Sequence, residues 1–416
     1  MKLNTKSIAL AAAILLLADR GLSGCGTDFS ANAATPHAIQ EAIAFPSPTV
    51  GMSYADASDG GHAIFANKGQ TFFSNITVRK TGSVQGDKAD FYGENAAVLA
   101  VDGAALTLRE ASVSTEGEHA NAVFSYGEDS VVDIADSTIT TLGDFSGGLM
   151  TTGGGTMNAA NLVIRTSGRS SAAIRSDRGG GTVRVSGGTY STDGVGSPAV
   201  YSTADISVKN AELVSRVSQA VVIEGDNSVQ LENVTVTANN TEKNSGKSPW
   251  YQAVMLYQSM SGDSDEGSAE FTMLGGSLTS LNGDVFFVSN TLAVINLTGA
   301  EIMNDDPDGV FLRAAAAGWG REGQNGGHVE LRTAAQKLEG DILADKLSTV
   351  SISLADGSVL TGAVNPSDEG EVSITLTDGA RWSLTGDSHV KSLNAEGGSI
   401  QLNGYILTVD GTEYKG

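Results

Sequence analysis

The residues best suited to chemistry in this 416-residue sequence fall into two acidic runs and two aromatic-bearing interruptions. Asp263-Ser264-Asp265-Glu266 and Asp305-Asp306-x-Asp308 crowd carboxylates, the donors that calcium prefers and that glycoside hydrolysis uses in pairs. Both runs sit beside glycines in stretches that read as loops between strands. Solvated turn carboxylates are therefore the simplest reading. Calcium held weakly at Asp263, Asp265, Asp305, Asp306 or Asp308 is the lesser one, and no other cofactor is expected. The histidines, His37, His62, His119, His328 and His389, lie far apart and show no metal-ligand spacing. There is no Gly-x-Ser-x-Gly elbow, phosphate loop or Cys/His pair, so no catalytic residue is assigned.

Recognition chemistry is better represented. The stretch 239–251 (NNTEKNSGKSPWY) breaks the rhythm of the surrounding sequence and brings Lys243, Lys247, Trp250 and Tyr251 into an aromatic-poor chain; 314–327 adds Trp319 and Arg321. Loops projecting from a rigid scaffold commonly carry recognition, and Trp and Tyr are favoured anchors for sugars and protein partners. Packing of both Trp rings back onto the scaffold is the competing reading.

The elements that would carry these loops are short strands. Fifty-two glycines, seven prolines and many Ser, Thr, Asn and Asp separate brief Val/Ile/Leu pairs. A small residue followed by an apolar one opens each unit, at Ala97-Val98, Ala122-Val123, Gly148-Leu149, Ala173-Ile174, Ala199-Val200, Ala220-Val221, Ala253-Val254, Val285-Phe286 and Gly309-Val310, about 25 residues apart apart from visible insertions. Within the units a second strand alternates: Leu106-x-Leu108, Val132-x-Ile134, Val183-x-Val185, Ile206-x-Val208, Val229-x-Leu231, Phe271-x-Met273 and Ile295-x-Leu297. Five residues beyond each pair stands a third anchor: Val113, Ile139, Tyr190, Leu213, Val236, Leu278 and Ile302.

Three short strands per coil predict an all-β, right-handed parallel β-helix with terminal caps. Ala63-Ile64 reads as an earlier opening and Ile76-x-Val78 as an earlier second strand. Beyond about residue 340, Val350-x-Ile352-x-Leu354 and Val372-x-Ile374-x-Leu376 suggest wider coils, with Leu360-Thr361-Gly362 recurring at Leu384-Thr385-Gly386. The expected division is a linker and cap over 25–60, the β-helix over 61–340, and wider coils with a closing cap over 341–416. A column from Thr115, Thr141, Thr166 and Thr192 to Ser215 shares the anchors' side and should face inward. The outward column beside it is interrupted by Arg165, Val214 and Met303, which argues against a flat ice-binding array.

Lys2 and Lys6 precede an apolar run from Ile8 to Ala18 too short to span a bilayer comfortably, the pattern of a signal peptide. Cleavage is expected before Cys25 in the lipobox-like Leu22-Ser23-Gly24-Cys25, making residues 1–24 the leader and Cys25 the lipidation site. The alternative is cleavage after Ala31-Asn32-Ala33, with a leader of 1–33. Cys25 is the single cysteine, so the exported chain has no internal disulfide. With 25 basic against 48 acidic side chains, the net charge of −23 repels nucleic acid and anionic lipid, so contact with a membrane is expected only through an N-terminal lipid.

The run from Asp378 to Gly404 (DGARWSLTGDSHVKSLNAEGGSIQLNG) resembles the segment that ends pertactin-like and AIDA-like autotransporter passenger domains. Residues 96–376 resemble them only in style. Because no translocator barrel follows before Gly416, a lipid anchor or free secretion is expected in its place. The resemblance implies an adhesin-like bacterial surface or secreted protein contacting a glycan or protein of a host or neighbouring cell. The alternative is a polysaccharide lyase or hydrolase of the pectate-lyase-like type, since the fold alone does not choose between them.

Overall fold

The computed structural model describes residues 47–416, and the leader and Cys25 lie outside the described residues. The described chain is a parallel β-helix. Its opening strands form an 11-stranded parallel sheet running from Ile64–Asn67 to Ile342–Ala344. Ile64, Val98, Val123, Leu149, Ile174, Val200, Val221 and Val254 stand in register, each paired with the next and buried. A 22-stranded sheet holds the second and third strands of most coils. The third-strand ladder then continues through Lys337–Glu339, Val359–Thr361, Arg381–Ser383 and Ser399–Gln401.

The five-residue offset between second strand and third anchor has a conformational cause. Two residues after the last inward side chain of the second strand the backbone turns left-handed, at Glu110, Asp136, Asn161, Gly187, Asn210, Asn233, Gly275 and Gly299 in successive coils. Asn, Asp and Gly tolerate that region best, and most of the column is drawn from them. The corner then returns the next apolar side chain to the interior, so that Val113, Ile139, Ile164, Tyr190, Leu213 and Val236 stack in one ladder. Thr115, Thr141, Thr166, Thr192 and Ser215 follow on the same side and are buried. Thr166 and Thr192 use their hydroxyls to satisfy the carbonyls of Ser171 and Ser197.

One coil cannot offset the entropy of ordering its own residues, so stability comes from neighbour stacking. The hydrophobic interior is accordingly one continuous cluster from Ile64 to Leu407. At the C-terminal end a hairpin of Ile406–Val409 and Thr412–Lys415 supplies the antiparallel pairing that closes the last coil.

Four expectations require correction. The ninth opening is Phe311-Leu312, because Phe286 pairs with Leu312 and not with Val310. Val78 pairs with Val113 and belongs to a third strand; the second strand of that coil is Gln70–Ser74. Leu360 pairs with Trp382, so the repeated Leu-Thr-Gly is not the structural register. The late coils are narrower: Val350 pairs with Val372, a shorter step than that from Val98 to Val123. The coil opened by Gly148-Leu149 has no member in the alternating second-strand set because its second strand presents Met157 and small Ala159 where neighbours carry branched residues.

Near the N-terminal end, Lys80 is fully buried, with its ammonium 3.1 Å from Asp56 and donating to the Ser58 carbonyl. Partial burial pushes the Asp56 carboxyl up, but the Ser58 hydroxyl and the Lys80 charge outweigh it and hold the group below its ordinary value. A depressed folded value means this contribution is present above the unfolded carboxylate range and lost as pH falls through the folded value. Hydrogen exchange over 53–80 should therefore accelerate below about pH 4. Asp56→Asn should remove that acid step, and an unchanged acid profile in the variant would refute the assignment.

Candidate functional site

The outward side of the opening sheet is the least ordinary surface of the solenoid. Successive strands place Leu99, Phe124, Met150, Arg175, Tyr201, Val222, Met255, Phe287 and Arg313 in a single outward column. Alternation predicts solvent there, yet this column is covered at both ends. Over the early coils, where Leu99, Phe124 and Met150 form a buried apolar cluster, a five-residue helix, Lys88–Tyr92, is held by the Thr152 hydroxyl donating to the Phe91 carbonyl at 2.7 Å and by Tyr92 meeting Tyr126 edge-on at 5.5 Å. Gly93 ends it in a left-handed conformation, where a Cβ would come within 2.7 Å of Leu99.

Over the later coils the two interruptions fold back. Asn240 Nδ2 donates to the Gln252 carbonyl at 3.0 Å, and Arg169 reaches from earlier coils to the side chain and carbonyl of Asn244 at 2.9 and 3.0 Å. Gly318 N donates to the Lys247 carbonyl at 2.7 Å, joining the loops to each other. Asn325 donates to the carbonyls of Ala317 and Trp319 and so fixes the second loop. Between loops and sheet remains a cleft of about 340 Å3.

Lys243, Lys247, Trp250 and Trp319 all line this cleft, so the two interruptions, distant in sequence, converge on one place. Trp250 packs on Phe287 with centroids 5.5 Å apart, and the Arg313 guanidinium lies 4.8 Å from its ring. Trp319 meets Tyr257 edge-on at 5.1 Å. Both indoles are half-buried, so packing onto the scaffold and lining the cleft occur together. Tyr251 lies beneath the Lys243 ammonium at 4.7 Å, outside the cleft lining. Arg321 is exposed and faces a separate depression with Gln258 and His328.

The cleft floor is a buried carboxylate that sequence reasoning passed over. Glu224 accepts hydrogen bonds from the Tyr201 hydroxyl, the Tyr257 hydroxyl at 2.9 Å, and the backbone and hydroxyl of Ser259. Burial, reinforced by Glu224, pushes both phenols well above their usual range, so they remain O–H donors. Ser261 Oγ bridges Glu224 at 3.5 Å and Asp263 at 2.8 Å. Next along the column, Arg175 lies between Asp177 at 2.6 Å and Asp90 at 3.7 Å, and His119 Nδ1 is 3.1 Å from Asp90. Burial opposes the Arg175 charge, but the flanking carboxylates outweigh it and hold it cationic.

Among the described residues no three His, Cys, Asp or Glu side chains gather as a metal site. Asp263 instead pairs with Arg178 at 2.8 Å. Asp265 borders a separate depression with Asp226, and Asp306 accepts from the backbone N–H of Asp308 in its own turn and of Gly283 in the preceding coil, with Asp305 and Asp308 exposed beside it.

Fold and site together define a parallel β-helical solenoid with one exterior face roofed by loops, an architecture consistent with an autotransporter passenger. The chain is similar to the BrkA autotransporter of Bordetella pertussis strain Tohama I, at 25% identity over 365 residues covering 74% of this chain and 33% of that protein. It thus spans about a third of the length of the curated relative it matches. No family model and no solved structure matches it.

Proposed function

We propose that this chain is a bacterial passenger-like protein, exported to the cell surface or beyond, whose cleft captures a glycan or protein ligand of a host or neighbouring cell. The observation that carries the reading is the convergence of Trp250 and Trp319, on separate loops, over one pocket of the rigid opening sheet. The distant likeness to an autotransporter supports the surface address. Tethering through Cys25 and cleavage of a leader belong to the same proposal.

Binding is favoured over catalysis because the buried carboxylate is already fully engaged. Glu224 Oε2 accepts from the two phenol hydroxyls and Oε1 from the amide and hydroxyl of Ser259, which leaves no lone pair aimed at a bond to be cleaved. The observation favouring the alternative, a polysaccharide hydrolase, is the Ser261 bridge that brings Asp263 close to Glu224.

Purified full-length chain should coat host epithelial or neighbouring bacterial cells, and Trp250→Ala with Trp319→Ala should reduce capture about tenfold. Undiminished capture by the double variant would defeat the cleft assignment. Reducing-sugar release from a polysaccharide, lost in Glu224→Gln, would replace binding by hydrolysis.

A further inference from the structure

Resting on that reading, we infer that the cleft takes an uncharged saccharide, seated on the indole of Trp319 with a hydroxyl donated to the side-chain carbonyl of Gln252. Gln252 is 1% exposed and lines the cleft, yet its Oε1 accepts no hydrogen bond. A buried acceptor left unmade costs about 1–3 kcal/mol, which a ligand donor would recover. Its amide nitrogen lies 3.3 Å from the Met255 sulfur and its Oε1 is closed to solvent, so a turn of the side-chain amide toward the cleft is what presents the carbonyl to an incoming hydroxyl.

The rest of the lining selects the ligand's chemistry. Half-buried Trp and Tyr rings offer flat apolar surface, while Gln219, Asn240 and Gln252 offer amide groups beside it. A pyranose has that pair of surfaces, C–H bonds on its faces and hydroxyls around its edge.

Charge argues against an acidic sugar. Arg178 is paired with Asp263 and Arg313 with Asp284, and the two lysines that line the cleft, Lys243 and Lys247, face three lining carboxylates, Glu224, Glu242 and Asp263, so the lining carries no net positive charge. Glu224 beneath the floor and Glu242 at the wall would repel a carboxylate or sulfate. An extended peptide is disfavoured by a different fact. The strand Gln252–Tyr257 is paired on both edges, with Val221–Glu224 and Asp284–Ser289, so it has no free edge to which a peptide strand could add.

The test is a printed array of neutral, sialylated, sulfated and uronate-bearing oligosaccharides probed with the full-length chain, followed by tryptophan fluorescence titration of the best neutral binder. Trp250 and Trp319 report on the cleft, whereas Trp382 is wholly buried with its indole N–H bonded to the Gly362 carbonyl. Neutral glycans should bind with affinity changed less than about twofold between dilute and molar salt. Trp319→Ala, on a surface loop, should weaken binding about tenfold or more, and Gln252→Met about fivefold.

Binding confined to acidic glycans, or neutral binding indifferent to both substitutions, overturns the inference. If no glycan binds while the chain still captures cells through Trp319, the saccharide assignment falls and the surface-binding reading stands. If capture is absent as well, both fall.

Discussion

Phe286→Ala should lower the unfolding free energy by about 3–5 kcal/mol. Phe286 is fully buried in the opening-strand ladder, and its ring meets Phe271 and Phe311 edge-on at 5.5 Å on either side. Phe271 belongs to the second strand of the coil opened by Val254, Phe286 opens the next coil and Phe311 stands at the opening after that, so a cavity there loosens contacts across three successive coils. Because a solenoid contacts itself only through neighbours, the damage should appear first as a separate early transition in denaturant. Leu142→Ala, at a side chain 55% exposed, is the control and should shift the midpoint negligibly. Equal midpoints for the two variants would refute the interior assignment.

The aromatic triplet also shows what the sequence makes legible. The second strand at Phe271-x-Met273 and the opening at Phe286 announce themselves through alternation and the small-apolar step, and both stack where that pattern requires. The partner Phe311 was obscured because Gly309-Val310 two residues earlier satisfies the same small-apolar rule. A slip of two residues leaves the inward face unchanged, so burial pattern alone cannot detect it; only pairing with Phe286 decides. Ile76-x-Val78 failed for a related reason. A third strand carries apolar residues at the same spacing as a second, and the missing cue was the left-handed corner, which lies before it at Asn75 rather than after.

The cleft divides along similar lines. Trp250 and Trp319 stand out because they are aromatic residues in loops of an aromatic-poor chain. Tyr201, Glu224 and Tyr257 do not, since each occupies a strand position that alternation assigns to water. Nothing local signals that loops from later coils will fold back over them. What unites them is stacking of adjacent coils: Tyr201 pairs beside Val222, and Glu224 beside Tyr257, across insertions that differ in length. A register computed from constant spacing would have separated these residues.

Asp284→Ala should cost about 3–5 kcal/mol and should also open the cleft. Asp284 is buried at the start of its strand, where it accepts from Arg313 Nε at 2.6 Å, Arg313 Nη2 at 3.2 Å and the Val310 backbone N–H at 3.0 Å. Arg313 is itself largely covered, with its guanidinium against the Trp250 ring. Removing the carboxylate strands a desolvated cation beneath an aromatic wall, and the cost of an unpaired buried charge exceeds that of losing the pair as a whole. Arg313→Met combined with Asp284→Ala should therefore recover stability relative to Asp284→Ala alone, although one N–H of Val310 remains without its acceptor. Ligand capture should not recover with it, because Trp250 would have lost the guanidinium that holds its ring in place. A double-mutant cycle read by denaturant midpoint and by binding separates the two effects. If stability and binding return together in the double variant, Arg313 does not position Trp250. If neither single substitution is destabilising, the ion pair does not brace this face of the helix.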